Sequence, residues 1–272
     1  MASIREENPK SIPAYLELIE KLLADVEDSL WYRGCGKATY QLIPSLYRHK
    51  QAKNPTKLAD LERKLMTRFK QRSLPYLTRS LTDEWDTLFF MQHYSIPTRL
   101  LDWTENPLIA LHFALMSAPH NKKKKAGDLV FKADATVWIL DPVKWNRHAL
   151  SHQSYNGGAL TLGDESLNGY KPNQTFAGMN NHPVALYGAH NSPRIVAQQG
   201  VFTIFGQNTV PMEKLYVEES FPKDSLIRVT IDAKSLASMR KSLLAHGITE
   251  SVVYPDLEGL ALEIKRSFGF EE

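Results

Sequence analysis

The stretch NPLIALHFALM, from Asn106 to Met116, constrains the fold of this chain more than any other. Asn106 is a favourable helix N-cap and Pro107 suits the first helical position, so the stretch is predicted to be a helix. Apolar residues occur on every side of that helix: Leu108, Ile109, Leu111, Phe113 and Leu115. Because a helix that is apolar all round is a buried helix, the rest of the chain must enclose it.

The chain is long and apolar enough to do so. Its 272 residues are 43% hydrophobic, which allows one large domain or two small ones with a proper core. Five Trp, eleven Tyr and eleven Phe argue against disorder of the whole chain. The 33 Lys and Arg against 30 Asp and Glu give a net charge of +3, which does not by itself indicate a nucleic-acid partner.

Several chemistries have no support in the sequence. Cys35 is the only cysteine, so a disulfide within the chain and a zinc site built on cysteines are excluded. The nine His form no H-x-x-H or H-E-x-x-H pattern, and we expect no metal site. The chain also lacks the G-x-G-x-x-G motif of dinucleotide-binding folds, a P-loop and the G-x-S-x-G motif of serine hydrolases.

The sequence gives no sign of export or of a membrane anchor. The N-terminal stretch MASIREENPK is polar and does not resemble a signal peptide. No stretch approaches the ~20 apolar residues that span a bilayer. We therefore expect a cytoplasmic protein without a membrane partner.

Hydrophobic periodicity and turn residues predict the elements around the buried helix. Helices are predicted from Ser11 onward and over residues 57–80, 84–94 and 233–247. Strands are predicted at SLWYRGCGK, TRLLDWT, ATVWILD and SLIRVTID, and a strand pair with a bulge or turn at RIVAQQGVFTIF. Residues 146–183 are predicted to be a long loop or insertion over a surface cleft. The pattern indicates an α+β fold over residues 1–272, a single domain with mixed or antiparallel central sheets flanked by helices and an N-terminal helical portion.

An arginine lies inside the predicted strand WYRG, from Trp31 to Gly34. Because a buried unpaired charge is very costly, Arg33 must find a partner or face a cleft. Asp102 is the obvious partner, and on this motif alone a structural ion pair is favoured. The functional alternative is that Arg33 binds a planar or phosphate anion through its bidentate fork, where Gly34 and Gly36 let the backbone approach the ligand.

A second group of polar and aromatic residues precedes the buried helix: His93, Tyr94, Arg99, Asp102, Trp103 and Thr104. A scaffold rarely needs all of these together, so a functional role is favoured. The helix N-terminus at Asn106 also exposes free N–H groups, which suit an anion. The alternative is that Arg99 and Asp102 pair with each other and with helix caps.

Together these residues resemble the FRG domain family, which is named for an aromatic-Arg-Gly motif near its N-terminus. Tyr32-Arg33-Gly34 matches that motif, and Gln92–Ala114 resembles the second family block densely and without gaps, except that Ser95 stands where the family often has Gly. Two later blocks are similar at Arg194–Phe205 and Gly247–Ala261, so the resemblance spans residues 10–262. It implies a bacterial or phage-associated protein of anti-phage defence or toxin systems.

A weaker similarity, in the order of these elements, is to ADP-ribosyltransferases, and it implies an ADP-ribosyltransferase-like core. In those enzymes a first-strand Arg or His binds NAD, a Ser or Thr on the second strand supports the cleft, and a late Glu orients the ribose. Arg33 and Thr104 match the first two features. Gln198 or Gln199 stands near the third, in a segment that has no Glu.

The two resemblances imply a domain that binds NAD, or a related nucleotide, as its substrate, and that passes ADP-ribose to a protein, a nucleic acid or water. The missing Glu moves the acidic role to Asp102 or Glu105. The candidate catalytic residues are Arg33, which would bind a phosphate or the ribose side, Asp102 or Gln199, which would stabilise the cationic ribosyl centre, and His93 as acid or base. The candidate binding residues are Tyr32, Gly34, Arg99, Trp103, Thr104, Asn106 and Gln198, with Trp103 or Tyr32 stacking on a ring of the ligand.

Two alternatives stay open. In the first, the chain is a non-catalytic nucleotide-sensing or protein-binding module of a defence system, and Arg33, Arg99 and Asp102 form a buried network that sets the fold. The missing Glu favours this alternative, whereas the clustered His and Trp favour catalysis. The second alternative is a nuclease acting on RNA, which is suggested only by mild basicity and several His.

Overall fold

The computed structural model describes residues 3–77, 79–122, 129–172, 175–189 and 192–270. Its strands are β1 (Arg5–Glu7), β2 (Trp31–Cys35), β3 (Leu100–Thr104), β4 (His120–Lys122), β5 (Leu129–Phe131), β6 (Ala135–Leu140), β7 (Val184–Leu186), β8 (Gly200–Ile204) and β9 (Leu226–Ile231). Its helices are α1 (Ile12–Leu23), α2 (Pro55–Ser73), α3 (Glu84–His93), α4 (Pro107–Met116), α5 (Pro142–Ala149), α6 (Pro193–Ala197), α7 (Met212–Glu218), α8 (Ala233–Ala245), α9 (Glu250–Val253) and α10 (Leu257–Ser267). Among these helices, none has the combination of length and apolar character that crossing a bilayer requires.

A mixed seven-stranded sheet organises the chain, with the strand order β1-β9-β6-β2-β3-β8-β7. β1 runs parallel to β9, whereas the other neighbours in this sheet pair antiparallel. β4 and β5 form a separate antiparallel pair. β2 and β3 therefore lie side by side in the middle of the large sheet.

Each face of the sheet has its own hydrophobic core, because successive side chains of a strand point to opposite faces. On one face, Tyr32 of β2 packs in a cluster with residues of α1, α4 and α8, among them Tyr15 and Leu111. On the other face, Trp31 belongs to a larger cluster that includes Trp145 of α5. The site described below lies where β2 and β3 meet, between these two cores.

The buried helix predicted from Asn106 to Met116 is confirmed as α4. Asn106 is its N-cap, and its side-chain oxygen accepts hydrogen bonds from the backbone N–H groups of Leu108 and Ile109. α4 packs against β2 and α8, and Ala110 and Leu111 have no exposed surface. The apolar residues on all sides of α4 are thus explained by its burial against the sheet.

The sequence prediction of a mixed sheet flanked by helices is confirmed, and two local predictions are wrong. In RIVAQQGVFTIF the first half is a helix, α6, because Ser192 caps it (Oγ accepts from the Ile195 N–H) and Pro193 occupies its first turn. Only Gly200–Ile204 is a strand. The helix predicted over residues 57–80 ends at Ser73.

The segment 146–183 is largely irregular, as predicted, but its beginning is ordered by a helix. α5 continues to Ala149, and Asn146 on it is buried. The Asn146 amide donates hydrogen bonds to the carbonyl oxygens of Gly158 and Ala185 and accepts one from the Ala185 N–H. A buried asparagine thereby fixes this irregular segment against strand β7.

Candidate functional site

An arginine side chain links β2 to β3 at the point where their backbone pairing ends. The register of the two strands contains one residue pair, Tyr32 with Thr104. Next to it, Nη1 of Arg33 donates a hydrogen bond to the backbone carbonyl oxygen of Asp102 and lies 3.9 Å from the Asp102 carboxylate. The expected partnership of Arg33 with Asp102 is therefore present, and it lies at an opening between strands.

A cavity of about 260 Å³ adjoins this link, and we call it the Arg33 cavity. Eight of the eleven residues that the sequence singles out line it: Tyr32, Arg33, Gly34, His93, Asp102, Trp103, Thr104 and Gln198. They come from β2, the end of α3, β3 and the residue that follows α6. Residues far apart in the sequence thus meet at one cavity.

Asp102 is the carboxylate of this cavity wall. Its side chain is 58% exposed, although the residues on either side of it in β3 are buried. The Gln92 side-chain amide donates to both carboxylate oxygens, at 2.9 and 2.8 Å. The Gln92 oxygen in turn accepts a hydrogen bond from the Thr98 hydroxyl. The Asp102 carboxylate is therefore held in a fixed orientation while remaining accessible.

The Arg33 guanidinium keeps donor capacity that the described residues do not use. A quarter of its side chain, 25%, is exposed. Nε is buried, and no described residue accepts a hydrogen bond from it. Since a guanidinium offers five N–H donors, Arg33 can both brace Asp102 and donate to an anion in the cavity.

His93 contributes a neutral imidazole to the cavity. It ends α3 and is half-buried. Burial lowers the pKa of His93, the positive charge of Arg194 lowers it further, and Asp256 raises it. Because the pKa falls from an ordinary value of 6.5, the ring is uncharged at neutral pH and can accept a proton.

Thr104 and Gln198 stabilise the cavity wall, because their side chains hydrogen-bond to protein groups instead of pointing free groups into the cavity. The Thr104 hydroxyl donates to the backbone oxygen of Gln198 at 2.5 Å and accepts from the Asn106 N–H at 3.0 Å. The Gln198 amide donates to the backbone oxygen of Val253 at 3.1 Å. Both residues thereby fix the distance between β3 and the segment after α6.

Tyr32 and Trp103 line the cavity, but their rings are buried in the two hydrophobic cores. Tyr32 is 1% exposed and Trp103 is 3% exposed. The Trp103 indole N–H donates to the Thr203 hydroxyl at 3.1 Å. Stacking of a ligand ring on either residue would need a ring that is now packed against protein to become accessible.

Gly34 serves the packing of β2 on α4. A Cβ atom on Gly34 would lie 1.9 Å from the Ala110 carbonyl oxygen and 2.6 Å from the Ala114 nitrogen. Gly36 is equally restricted by the Ser117 carbonyl oxygen, at 2.3 Å. The sequence predicts that both glycines allow a close approach of a ligand, whereas in the structure the close approach is that of the backbone of α4 and of Ser117, which follows it.

Arg99 lies outside the Arg33 cavity, in a buried network. It is 1% exposed, and its Nε donates to the Glu62 carboxylate at 2.8 Å. Its other nitrogens donate to backbone carbonyl oxygens, namely those of Tyr170, Lys171 and Phe205. The pair of Arg99 with Asp102, the alternative considered from the sequence, does not form, because Arg99 points into the core and Glu62 of α2 meets it there.

Asn106 and Gln199 also lie outside the lining of the cavity. Asn106 uses its side-chain oxygen to cap α4, so the first free N–H groups of this helix are already satisfied. Gln199 is exposed and has a φ of +46°, in the left-handed region, and its carbonyl oxygen accepts from the Glu105 N–H. Neither residue is placed to contact a ligand in the cavity.

Comparison with known proteins identifies part of this arrangement. The model of the FRG domain matches residues 28–123. The chain carries an FRG domain. The resemblance predicted over residues 10–262 is thus confirmed over that segment. No curated protein and no solved structure matches the chain.

The FRG domain match supplies most of the cavity wall, but not all of it. Arg33, His93 and Asp102 lie within residues 28–123, whereas Arg194 and Gln198 lie beyond it. β6 and β8, which pair with β2 and β3, also follow the matched segment. The sheet that positions the FRG residues is therefore completed by the rest of the chain.

Six further lining residues are not among the site residues that the sequence predicts: Gln92, Ser95, Phe113, Arg194, Ile195 and Phe202. Arg194 is the one that changes the electrostatics of the cavity, because it adds a second guanidinium. It lies over the ring of Tyr254, at 4.4 Å from the ring centroid. The cap Ser192-Pro193 was the available signal, since it places Arg194 on the first turn of a helix.

The described residues contain no group of three or more His, Cys, Asp or Glu side chains arranged to hold a metal ion. The charged groups of the Arg33 cavity are instead two arginines and one aspartate. Arg33 and Arg194 can donate hydrogen bonds to phosphate or hydroxyl groups of a ligand, and Asp102 can face a cationic or hydroxyl group.

Proposed function

We propose that the Arg33 cavity binds NAD or a related nucleotide and that the domain cleaves its glycosidic bond, passing ADP-ribose to a macromolecular acceptor or to water. The observation that carries this proposal is the placement of Arg33 beside Asp102 on one cavity wall. An arginine fork suits a phosphate or a ribose hydroxyl. A carboxylate nearby suits the positive charge that develops on the ribose when a glycosidic bond breaks.

Asp102 would stabilise the oxocarbenium-like ribosyl centre. The two hydrogen bonds from Gln92 keep its carboxylate from rotating, so little reorganisation is needed as charge develops. Glu105, the other carboxylate considered from the sequence, does not line the cavity; Ser29 and Tyr187 lie at 3.4 and 3.5 Å from its oxygen. Asp102 is therefore the residue to which this proposal assigns the acidic role.

The size of the cavity indicates which end of the nucleotide it would take. A volume of about 260 Å³ lies just below the range of about 300–1,000 Å³ that is typical for pockets enclosing a whole drug-sized ligand. The nicotinamide and its ribose would occupy the cavity. The diphosphate would then extend past Arg194, where a second guanidinium is available.

His93 would act on the acceptor. A neutral imidazole beside the ribosyl centre can take a proton from an attacking hydroxyl or water. The acceptor could be a protein, a nucleic acid or water. We also propose that the protein acts in anti-phage defence or as a toxin. These assignments are consistent with the low pKa of His93 and with its position on the cavity wall.

The second candidate function is a non-catalytic nucleotide-sensing module. Two observations favour it. Asp102 already accepts two hydrogen bonds from Gln92, and no other carboxylate is among the described lining residues of the Arg33 cavity. A sensor would bind NAD without releasing nicotinamide. Binding and turnover therefore have to be measured separately.

Binding tests the role of Arg33 directly. We expect NAD to raise the melting temperature of the wild-type protein and the Arg33→Lys variant to lose that effect, with at least a tenfold weaker affinity by calorimetry, because lysine cannot form the bidentate fork. The matched control is Arg228→Lys. Arg228 also binds a carboxylate (Glu6, 3.3 Å) and a carbonyl oxygen, and its Nε is also buried without a described partner, but it lies outside the cavity.

The control variant should bind NAD like the wild type. Equal loss of binding in both variants would point to a general effect on the sheet, since both arginines connect neighbouring strands or loops. If the wild-type protein shows neither a thermal shift with NAD nor heat of binding, the proposal is wrong for both the catalytic and the sensing function.

A further inference from the structure

A second cavity lies next to the first and shares one residue with it. Its volume is about 670 Å³, and Phe113 lines both cavities. We call it the His112 cavity. Its walls come from α4, α8 and α10, with Met116, Arg240 and Leu262 among the lining residues.

His112 is the residue that makes this cavity unusual. It is 1% exposed and sits in a helix that is otherwise apolar. Neither ring nitrogen, Nδ1 or Nε2, has a hydrogen-bond partner among the described residues. Because a buried polar group without a partner costs free energy, a histidine at this place needs a compensating role.

The protonation state of His112 defines what it can bind. The pKa of His112 is lowered to about 4, mainly by burial; Glu250 raises it, and Arg240 and Arg266 lower it. At neutral pH the ring is therefore uncharged, with one nitrogen as donor and the other as acceptor. A ligand that satisfies both must present an acceptor and a donor of its own.

The surroundings of His112 are aromatic and apolar on one side. Phe113 and Tyr254 meet edge to face, with ring centroids 6.1 Å apart, and the Tyr254 ring lies 6.5 Å from the ring of His112. Met116 and Phe270 add apolar surface to the lining. Such walls suit a flat ring, which can pack on aromatic edges and faces.

The charged groups of the lining favour an anion. Arg240 and Lys265 contribute positive charge, and Lys265 is exposed at the rim. Glu250 is the carboxylate of the lining, and the Arg266 Nε donates to both of its oxygens, at 2.8 and 2.9 Å. The Glu250 carboxylate is thereby paired with Arg266, and the exposed Lys265 ammonium is the group of the lining that can meet an anion.

We propose that the His112 cavity binds a planar heteroaromatic ligand with an anionic substituent, the chemistry of a nucleoside monophosphate. Because His112 is 1% exposed, a ligand reaches its ring nitrogens only after the side chains that cover them move. The ligand ring then exchanges hydrogen bonds with His112 and packs against Phe113 and Tyr254. The anionic group lies toward Lys265. A volume of about 670 Å³ is within the range of about 300–1,000 Å³ for ligand sites. This site stands independently of the chemistry assigned to the Arg33 cavity.

Calorimetric titration with adenosine 5′-monophosphate, guanosine 5′-monophosphate and adenosine tests the proposal. We expect at least one of the monophosphates to bind, and adenosine to bind more weakly than its monophosphate. In the His112→Leu variant we expect binding to weaken at least tenfold, while the free protein melts about 2 °C or more above wild type, because two unsatisfied nitrogens are removed. A purely structural histidine would lower the melting temperature when replaced.

Two further variants locate the binding. Lys265→Glu changes an exposed residue and should weaken monophosphate binding without affecting adenosine or the melting temperature. Arg33→Lys should leave monophosphate binding unchanged, which distinguishes this site from the Arg33 cavity. The proposal is overturned if neither monophosphate binds to the wild-type protein, or if His112→Leu and Lys265→Glu both bind as the wild type does.

Discussion

Replacing Gly34 by alanine is expected to cost the protein about 3 kcal/mol or more of its free energy of unfolding, or to prevent folding. The added Cβ would lie 1.9 Å from the Ala110 carbonyl oxygen and 2.6 Å from the Ala114 nitrogen. Both are backbone atoms of the buried helix α4, so no side-chain rotation can relieve the contact. β2 and α4 would have to separate, and the core between them would open.

Urea denaturation of the Gly34→Ala variant measures this effect, and the chain offers a matched control. Gly163 has no heavy atom within 4 Å of the place where its Cβ would lie, so Gly163→Ala should change stability by no more than about 0.5 kcal/mol. A Gly34→Ala protein that unfolds at the wild-type urea concentration would contradict the packing of β2 on α4. It would return the glycine of the aromatic-Arg-Gly motif to a role in ligand binding.

Replacing Arg99 by methionine is expected to destabilise the protein by about 3–5 kcal/mol, because Glu62 would keep a buried charge without its partner. Glu62 is 3% exposed and Arg99 is 1% exposed. The loss also leaves the carbonyl oxygens of Tyr170, Lys171 and Phe205 without the donor that now serves them. Through these hydrogen bonds and its ion pair with Glu62, the Arg99 guanidinium links α2 to the irregular segment before β7 and to the end of β8.

Chemical denaturation is again the measurement, with Arg63→Met as the control. Arg63 pairs with Asp60 on the surface of α2, and its side chain is 63% exposed, so its loss should cost no more than about 1 kcal/mol. The double variant Arg99→Met/Glu62→Leu should recover part of the loss, since no charge then remains buried. An Arg99→Met protein of wild-type stability that no longer binds NAD would place Arg99 in the site instead of the core.

The sequence predicts best those features whose causes are local. The cap at Asn106 and the apolar surround of the following residues were enough to define α4 and its burial. The partnership of Arg33 with Asp102 was also predicted, because a charge inside an apolar strand has to be compensated. The resemblance to the FRG domain further predicts that these residues belong to one domain. The FRG domain match over residues 28–123, which contains all of them, supports this prediction.

The features that the sequence did not predict depend on contacts between distant residues. Glu62 lies 37 positions before Arg99, on another element, and nothing near Arg99 indicates that they meet. The sequence suggests a ligand near Gly34, because it does not reveal which helix packs against β2. The sequence does not point to Arg194 because the apolar run after it resembles a strand, whereas the local cap of Ser192-Pro193 decides the structure.

The His112 cavity also depends on residues that are far apart in the sequence. In the sequence His112 is one polar residue within an apolar helix, and a buried histidine satisfied by the core is the common outcome. Only the fold brings it into one cavity lining with residues of α10, more than 140 positions later in the chain, and leaves its ring nitrogens without partners among the described residues. Polar groups at such positions become informative once their surroundings are known.

The release of nicotinamide from NAD tests the central claim most directly. We expect the wild-type protein to release nicotinamide, alone or with an acceptor protein or nucleic acid, and the Asp102→Asn variant to do so about 100-fold more slowly, because the carboxylate that faces the ribosyl charge is lost. Glu105→Gln, which alters a carboxylate outside the cavity, should retain the wild-type rate. A folded wild-type protein that binds NAD but releases no nicotinamide would contradict catalysis and leave the sensing function. Equal rates in Asp102→Asn and the wild type would contradict the assignment of the acidic role to Asp102.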